Sequence, residues 1–385
     1  MIFEIVERHH VSSGLIQIFR ELKVRLKRKI FYIPGFDPRS EAYYKKLLLS
    51  QFPHIKEHQL INEKSRVVFE TEDLEVDYEI LSWHNQVKQN WAVGVFENLG
   101  NVYTIFKESL IKGAYYRLFH VCKKSAFQKT FISYLFAIWF VLFVLGLWEI
   151  TQRVLESHYL FAFVLTVAFV LLNVFVYYFL DKLNMFWVAR VMNFFVVYSN
   201  QESPSIAEIE NKFKHRIEQV LKKREYDEIV LISHSVGTIL CLSVFADLVL
   251  EQKDNRLTVI TLGHCVTGVN MIKSSKWYLD KMRRLENRKA LWVDIASGKD
   301  AVAFYKINPA HFVESKPDIT VSAGFHRIFK KEFYKSLKWS FYAIHFLYLV
   351  HPDFPEKSVF NYSKLLFDEQ LILNLKKMAP NHQES

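Results

Sequence analysis

Apolar residues along the chain fall into runs of different length and spacing, and each kind predicts a different element. Short runs of β-branched and aromatic residues occur at Lys29-Ile30-Phe31-Tyr32-Ile33, at Ile229 to Ile232, at Leu257 to Leu262 and at Ala290 to Ala296. Runs this short and this continuously apolar read as strands buried on both faces. Leu74 to Trp83 alternates apolar with polar residues and reads as a further strand. Between the strands lie stretches with helical spacing. Arg39 to Leu49, Asn90 to Phe106 and Val236 to Leu250 are expected to be helical. So is the segment opened by Ser203-Pro204, in which Ile206, Ile209, Phe213, Ile217, Val220 and Leu221 recur near one face. Strands alternating with helices predict an α/β fold with a doubly wound, mostly parallel sheet.

Two longer runs break this pattern. Phe131 to Trp148 carries no charged residue, and Tyr159 to Leu180 is a second uncharged run of 22 residues. Each is long enough to cross a hydrocarbon layer of about 30 Å. The ten residues between them, 149–158, leave room only for a tight turn, so the pair predicts a transmembrane hairpin. Asn173 is the strongly polar residue of the second run and is expected to bond across to the first. Leu183 to Tyr198 is apolar nearly all round and is expected to continue the helix or lie in the membrane interface. The chain thus divides into residues 1–125, a membrane insertion over 126–200, and residues 201–385. Lys112, Arg117, Lys123, Lys124 and Lys129 precede the first run, Lys182 and Arg190 follow the second, and the loop holds Arg153 alone. The positive-inside tendency places both flanks in the cytoplasm.

Composition narrows the partners. The chain has 385 residues and a formal charge of +10, with 34 Phe, 19 Tyr and 8 Trp. Beside apolar spans, that positive excess fits an anionic membrane surface, and no nucleic-acid-binding signature accompanies it. Lys23, Arg25, Lys27, Arg28 and Lys29 concentrate part of the charge and are expected to form a solvated strand or loop face, with lipid headgroups as the sharper alternative. Cys122, Cys241 and Cys265 are too few and too scattered for a disulfide framework, which agrees with a reducing compartment. The first residues lack the order of a signal peptide. No metal-binding spacing, phosphate loop or cofactor motif is present.

The candidate chemistry lies at Ile229-Val230-Leu231-Ile232-Ser233-His234-Ser235-Val236-Gly237. A serine at the tip of a strand-turn-helix is pointed out of the sheet by the turn, and Gly237 leaves room for strand and helix to crowd together. The segment resembles the nucleophile elbow of the α/β-hydrolase superfamily of serine esterases and lipases. It departs from the usual G-x-S-x-G pattern at Ser233, where a glycine is expected. The plain alternative is an ordinary strand-turn-helix with an incidental serine. Pro34-Gly35-Phe36-Asp37-Pro38, after an early strand, resembles the turn that supplies one oxyanion-hole N–H in that superfamily. Phe36 is then the expected donor, Asp37 the second choice, and Val236 the donor on the elbow itself.

A serine nucleophile needs a histidine base, and the histidine needs a carboxylate. The resemblance implies the chain order serine, acid, histidine. Asp300, in the loop after the strand 290–296, is the first choice of acid, followed by Asp294 and Asp318. For the base, His345 ranks ahead of His351 and His326, and His311 also lies beyond Asp300. The run His345-Phe346-Leu347-Tyr348-Leu349 resembles bacterial hydrolase-like membrane proteins, which implies a bacterial inner membrane. His234 is expected to point away from the site, and His264 to line the pocket. The resulting expectation is a membrane-anchored serine hydrolase cleaving an acyl ester or thioester, most suitably of a lipid, without a cofactor. The alternative is a non-catalytic protein that keeps the fold as a partner-binding scaffold.

Overall fold

The computed structural model describes residues 25–379, apart from residues 54, 56–63, 252–255, 338, 339 and 359. Lys23, and with it the start of the basic run, lies outside the described residues.

Seven strands form one sheet: β1 (Leu26–Ile33), β2 (Arg66–Glu70), β3 (Leu74–Ile80), β4 (Glu228–His234), β5 (Leu257–Leu262), β6 (Leu291–Ala296) and β7 (Ile319–Ser322). Their order is β2-β3-β1-β4-β5-β6-β7. Among the described residues only β2 runs antiparallel, against β3. The central strands β1, β4, β5 and β6 are buried over almost their whole length, which is why they read as unbroken apolar runs. Ile33 pairs beside Ser233, and His234 beside Leu262, so the carboxyl ends of β1, β4 and β5 are level. The turns after these strands therefore emerge side by side, along the edge where sites assemble in parallel sheets.

Both faces of the sheet are covered. One carries Phe31, Ile33, Leu231 and Trp292 under a layer that includes α6 (Met185–Ser199), α7 (Pro204–Lys223) and α8 (Gly237–Glu251). The other carries Ile30, Tyr32, Val230 and Ile232 under α1 (Glu41–Gln51) and the C-terminal helices. Odd and even positions of β1 thus feed different cores, as the period of two requires.

Between β3 and β4 the chain forms α2 (Val95–Phe106), α3 (Ala114–Val121), α4 (Lys123–Leu155) and α5 (Tyr159–Lys182) before entering α6. Two helical stretches, Ser133–Leu155 and Tyr159–Lys182, are long and apolar enough to cross a membrane, and little of either is buried by the rest of the protein. Asn173 meets the first of these helices as expected: the Trp139 indole N–H donates to its Oδ1 at 2.9 Å.

Three expectations are corrected. The basic run is a solvated face only at Arg25 and Lys27. Arg28 and Lys29 are fully buried in β1. Lys29 Nζ pairs with Asp77 at 2.9 Å and Glu79 at 2.5 Å, and Arg28 pairs with Glu228 at 2.8 Å and donates to the Leu365 carbonyl. Burial alone would raise the Asp77 carboxyl, but hydrogen bonds from Arg66 and the charge of Lys29 bring it below its usual range. The cations are answered by carboxylates on β3 and β4 that are distant in sequence, a pairing no local pattern displays. Second, α6 is not an interfacial helix. Asn184, at φ 59°, turns the chain after α5, and α6 is then buried on nearly every side, so its all-round apolarity is that of a core helix. Third, α4 continues to Leu155, so Glu149 and Arg153 form an ion pair on a helix rather than part of a loop.

The exposed apolar face lies elsewhere. On α2, Phe96, Leu99, Tyr103 and Phe106 recur at helical spacing and face outward, Phe96 being 90% and Tyr103 64% exposed. Tyr116 and Phe119 of α3 and Phe127 of α4 are exposed as well.

Candidate active site

The turn between β4 and α8 holds Ser235 at φ 58°. This is the left-handed region, which costs a non-glycine residue roughly 1–2 kcal/mol. Neighbours enforce it. The Ser235 N–H donates to the Leu262 carbonyl at 2.9 Å, tying the turn to the end of β5, and the Thr238 N–H returns to the Ser235 carbonyl at 3.1 Å. Ser233, at the position where the resemblance expects glycine, is fully buried within β4. Because glycine removes the strain but weakens the fold through unfolded-chain entropy, Ser235→Gly is expected to stabilise the protein by about 0.5–1 kcal/mol. Ser235→Ala keeps the strain and is expected to leave the thermal midpoint unchanged. A Ser235→Gly midpoint below that of Ser235→Ala, as glycine's entropy alone would give, would show that the turn stores no strain.

The Pro34–Asp37 turn lies directly against this serine. A Cβ on Gly35 would stand 2.9 Å from Ser235 Cβ, so only glycine permits the approach. Phe36 is anchored among Trp83, Trp91 and Phe194, with ring centroids at 6.0, 5.5 and 4.9 Å. Neither the Phe36 nor the Val236 N–H has an acceptor among the described residues. The Asp37 N–H, the second choice of donor, is likewise without an acceptor among the described residues. The Asp37 carboxylate accepts from the Tyr44 hydroxyl at 2.8 Å and from Arg39, which also reaches the Tyr342 hydroxyl.

Asp300 and His345 are brought together. His345 Nδ1 lies 2.7 Å from Asp300 Oδ2, and both residues are buried. The Tyr348 hydroxyl donates to the same oxygen at 3.1 Å, while the Val302 and Ala303 N–H groups donate to Oδ1 at 2.9 and 3.3 Å. Four donors converging on two oxygens suit a carboxylate, which accepts only. Burial, and Asp300 beside it, raise the Tyr348 phenol well above its usual range, so it stays a donor. With Nδ1–H directed at Asp300, the lone pair of His345 resides on Nε2. That atom is buried and has no hydrogen-bond partner among the described residues. The ring is packed by Trp187 at 5.8 Å and by His234 at 4.8 Å.

His234 therefore turns toward His345 rather than away. Its Nε2 donates to the His345 carbonyl at 2.8 Å. Burial, reinforced by repulsion from His345, pushes His234 down to about 3, so it remains a neutral donor holding the helix α9 (Phe341–Phe346) that carries His345. Sequence reasoning had set this residue aside.

Ser235 and His345 are not joined by a hydrogen bond. Ser235 Oγ lies 3.9 Å from Cys265 Sγ. Both residues are closed from solvent, at 3% and 0% exposure. The remaining candidates fall away from this group. His326, His351 and His311 are exposed, and His351 packs on Phe52. Asp294 is buried within β6, where it accepts from the Thr261 hydroxyl at 2.7 Å and lies 3.9 Å from His264, a separate pair. His264 Nε2 donates to the Ile307 carbonyl at 3.0 Å, and its ring stacks on Phe304. Asp318 pairs with Arg288 at 2.8 Å. Among the described residues no group of three or more His, Cys, Asp or Glu side chains is arranged to hold a metal ion.

No family model, curated protein or solved structure matches the chain.

Proposed function

We propose that the protein is a membrane-anchored serine hydrolase of the α/β-hydrolase kind, cleaving an acyl ester presented at a lipid surface. The observation that carries this reading is the strained Ser235 at the β4–α8 turn, next in the chain to His234, whose ring lies 4.8 Å from that of His345 in an Asp300–His345 pair with Nε2 left without a partner among the described residues. In this mechanism Ser235 Oγ attacks the ester carbonyl while His345 Nε2 takes its proton. The oxyanion is met by the Phe36 and Val236 N–H groups, and Asp300 stabilises the imidazolium. The proton then passes to the departing alcohol, and water attacks the acyl-enzyme by the same route to restore Ser235. The hydrogen bond that is open between serine and histidine is one that substrate binding is expected to tighten.

The lipid part of the proposal has its own support. The helices α4 and α5 serve as a transmembrane hairpin inserted between β3 and β4, and the basic flanks favour a cytoplasmic hydrolase domain. The outward stripe Phe96, Leu99, Tyr103 and Phe106 then lies against the membrane face, in the interfacial role first assigned to α6. The closed surroundings of Ser235 and His345 favour a second reading, a non-catalytic scaffold. A fluorophosphonate probe applied to membranes containing the protein separates the two. Covalent labelling that maps to Ser235 and disappears in Ser235→Ala is expected; an unlabelled Ser235 in folded protein removes the hydrolase reading.

A further inference from the structure

Arg190, in the middle of α6, forms no ion pair among the described residues, and the carboxylate of Asp181 acts on it only from beyond ion-pair distance. Its Nε is buried without a hydrogen-bond partner, and no ion pair holds the side chain among the described residues. The guanidinium lies over the Trp91 ring, 4.9 Å from its centroid, and the same ring stacks on Phe36, the proposed oxyanion residue, at 5.5 Å. One turn earlier on the same helix face, Trp187 packs on Tyr342 at 5.2 Å and on His345 at 5.8 Å. Arg190 thus connects through Trp91 to the Phe36 turn, and Trp187 packs directly on His345.

Their level relative to the apolar helices is set by the chain. Only Leu183 and Asn184 separate α5 from α6. Phe186 is wedged between Tyr177 of α5 at 4.7 Å and Phe136 of α4 at 5.7 Å. Trp91 leads within a few residues into α2 and its exposed apolar stripe. Burial disfavours the Arg190 cation, and the more distant Asp181 offsets that only through space, so a directly bonded anion would stabilise it further. At the mouth of a lipid layer the anion within reach is a phosphate, which a guanidinium meets with two parallel hydrogen bonds.

We propose that Arg190 binds the phosphate of a membrane lipid and forms the head-group subsite of the hydrolase, so that its substrate is an acyl ester on a phosphate-bearing lipid. The inference rests on the hydrolase reading for its catalytic half, but the phosphate site is testable without turnover. The lipid enters past Trp187 and Tyr342, whose aromatic cover over His345 it displaces.

The test uses full-length protein carrying Ser235→Ala in neutral detergent micelles. Binding of an ether-linked, non-hydrolysable lysolipid ending in phosphate is compared with that of its uncharged glycerol ether, read by tryptophan fluorescence. The phosphate lipid is expected to bind at least about tenfold tighter, a difference of about 1.4 kcal/mol. Arg190→Gln is expected to abolish that preference, and Arg190→Lys to keep a measurable part of it and so report that the fold is intact. Equal binding of the two lipids, or a preference that survives Arg190→Gln, overturns the proposal. Inorganic phosphate displacing the lipid at matched concentration would assign Arg190 to a free anion and overturn it too. If the preference holds while fluorophosphonate labelling fails, the hydrolase reading is lost and the phosphate site stands; the reverse pattern keeps the hydrolase and removes the subsite.

Discussion

Asp300→Asn is expected to lower kcat for ester hydrolysis by about four orders of magnitude, with KM changed only a few-fold. The substitution is nearly isosteric, and one amide oxygen still accepts from the Val302 and Ala303 N–H groups. What changes is the partner of His345 Nδ1. In the native site that nitrogen donates to Asp300 Oδ2 at 2.7 Å, which leaves Nε2 free to accept a proton. An amide NH2 in the same place needs an acceptor, so it selects the tautomer with the proton on Nε2 and disables the base. His326→Ala and His351→Ala set the background: both side chains are exposed, and neither variant is expected to move kcat. Steady-state hydrolysis of a soluble ester by the solubilised protein measures all three. Retention of more than a tenth of native kcat by Asp300→Asn would remove Asp300 from the mechanism.

Gly237→Ala is expected to cost about 3 kcal/mol, at the upper end of what overpacking a core does. A Cβ at this position would lie 2.3 Å from the Pro34 carbonyl oxygen and 2.7 Å from that of Ile33. Both atoms belong to the main chain at the end of β1, which is paired on both sides by β3 and β4 and has no freedom to withdraw. The strain therefore spreads into the Pro34–Phe36 turn and moves the Phe36 N–H from the serine. The same change at Gly100 of α2, where nothing lies within 4 Å, marks the background. Thermal unfolding of the two variants in one detergent gives the comparison. A Gly237→Ala protein within about 0.5 kcal/mol of the native one would show that the strand and helix do not crowd as described.

Much of the fold was legible because its strands are buried on both faces. Ile229 to Ile232, Leu257 to Leu262 and Leu291 to Ala296 announce themselves by continuous apolarity. The short edge strands β2 and β7 carry no such run and went unseen. The stripe on α2 was present in the spacing of Phe96, Leu99, Tyr103 and Phe106, but spacing alone does not say whether such a face looks into the protein or out of it. For α6 the same ambiguity led the other way, since apolarity all round fits a core helix and a lipid-bound one equally.

For the proposed site, the chain itself offers the candidates in order: a tight turn with Gly35, a serine with small residues two positions before and after it, then Asp300 and His345. Those follow from local requirements, because a turn and a strand-helix junction constrain the few residues that form them. That Asp300 pairs with His345, while His351 and His326 are exposed and Asp294 bonds Thr261, is a matter of tertiary structure alone. A hydrogen bond between residues 45 positions apart depends on how the sheet and its loops pack. The same holds for Lys29 with Asp77 and for Arg190 over Trp91: a charge is written in the sequence, but what answers it is set by the fold.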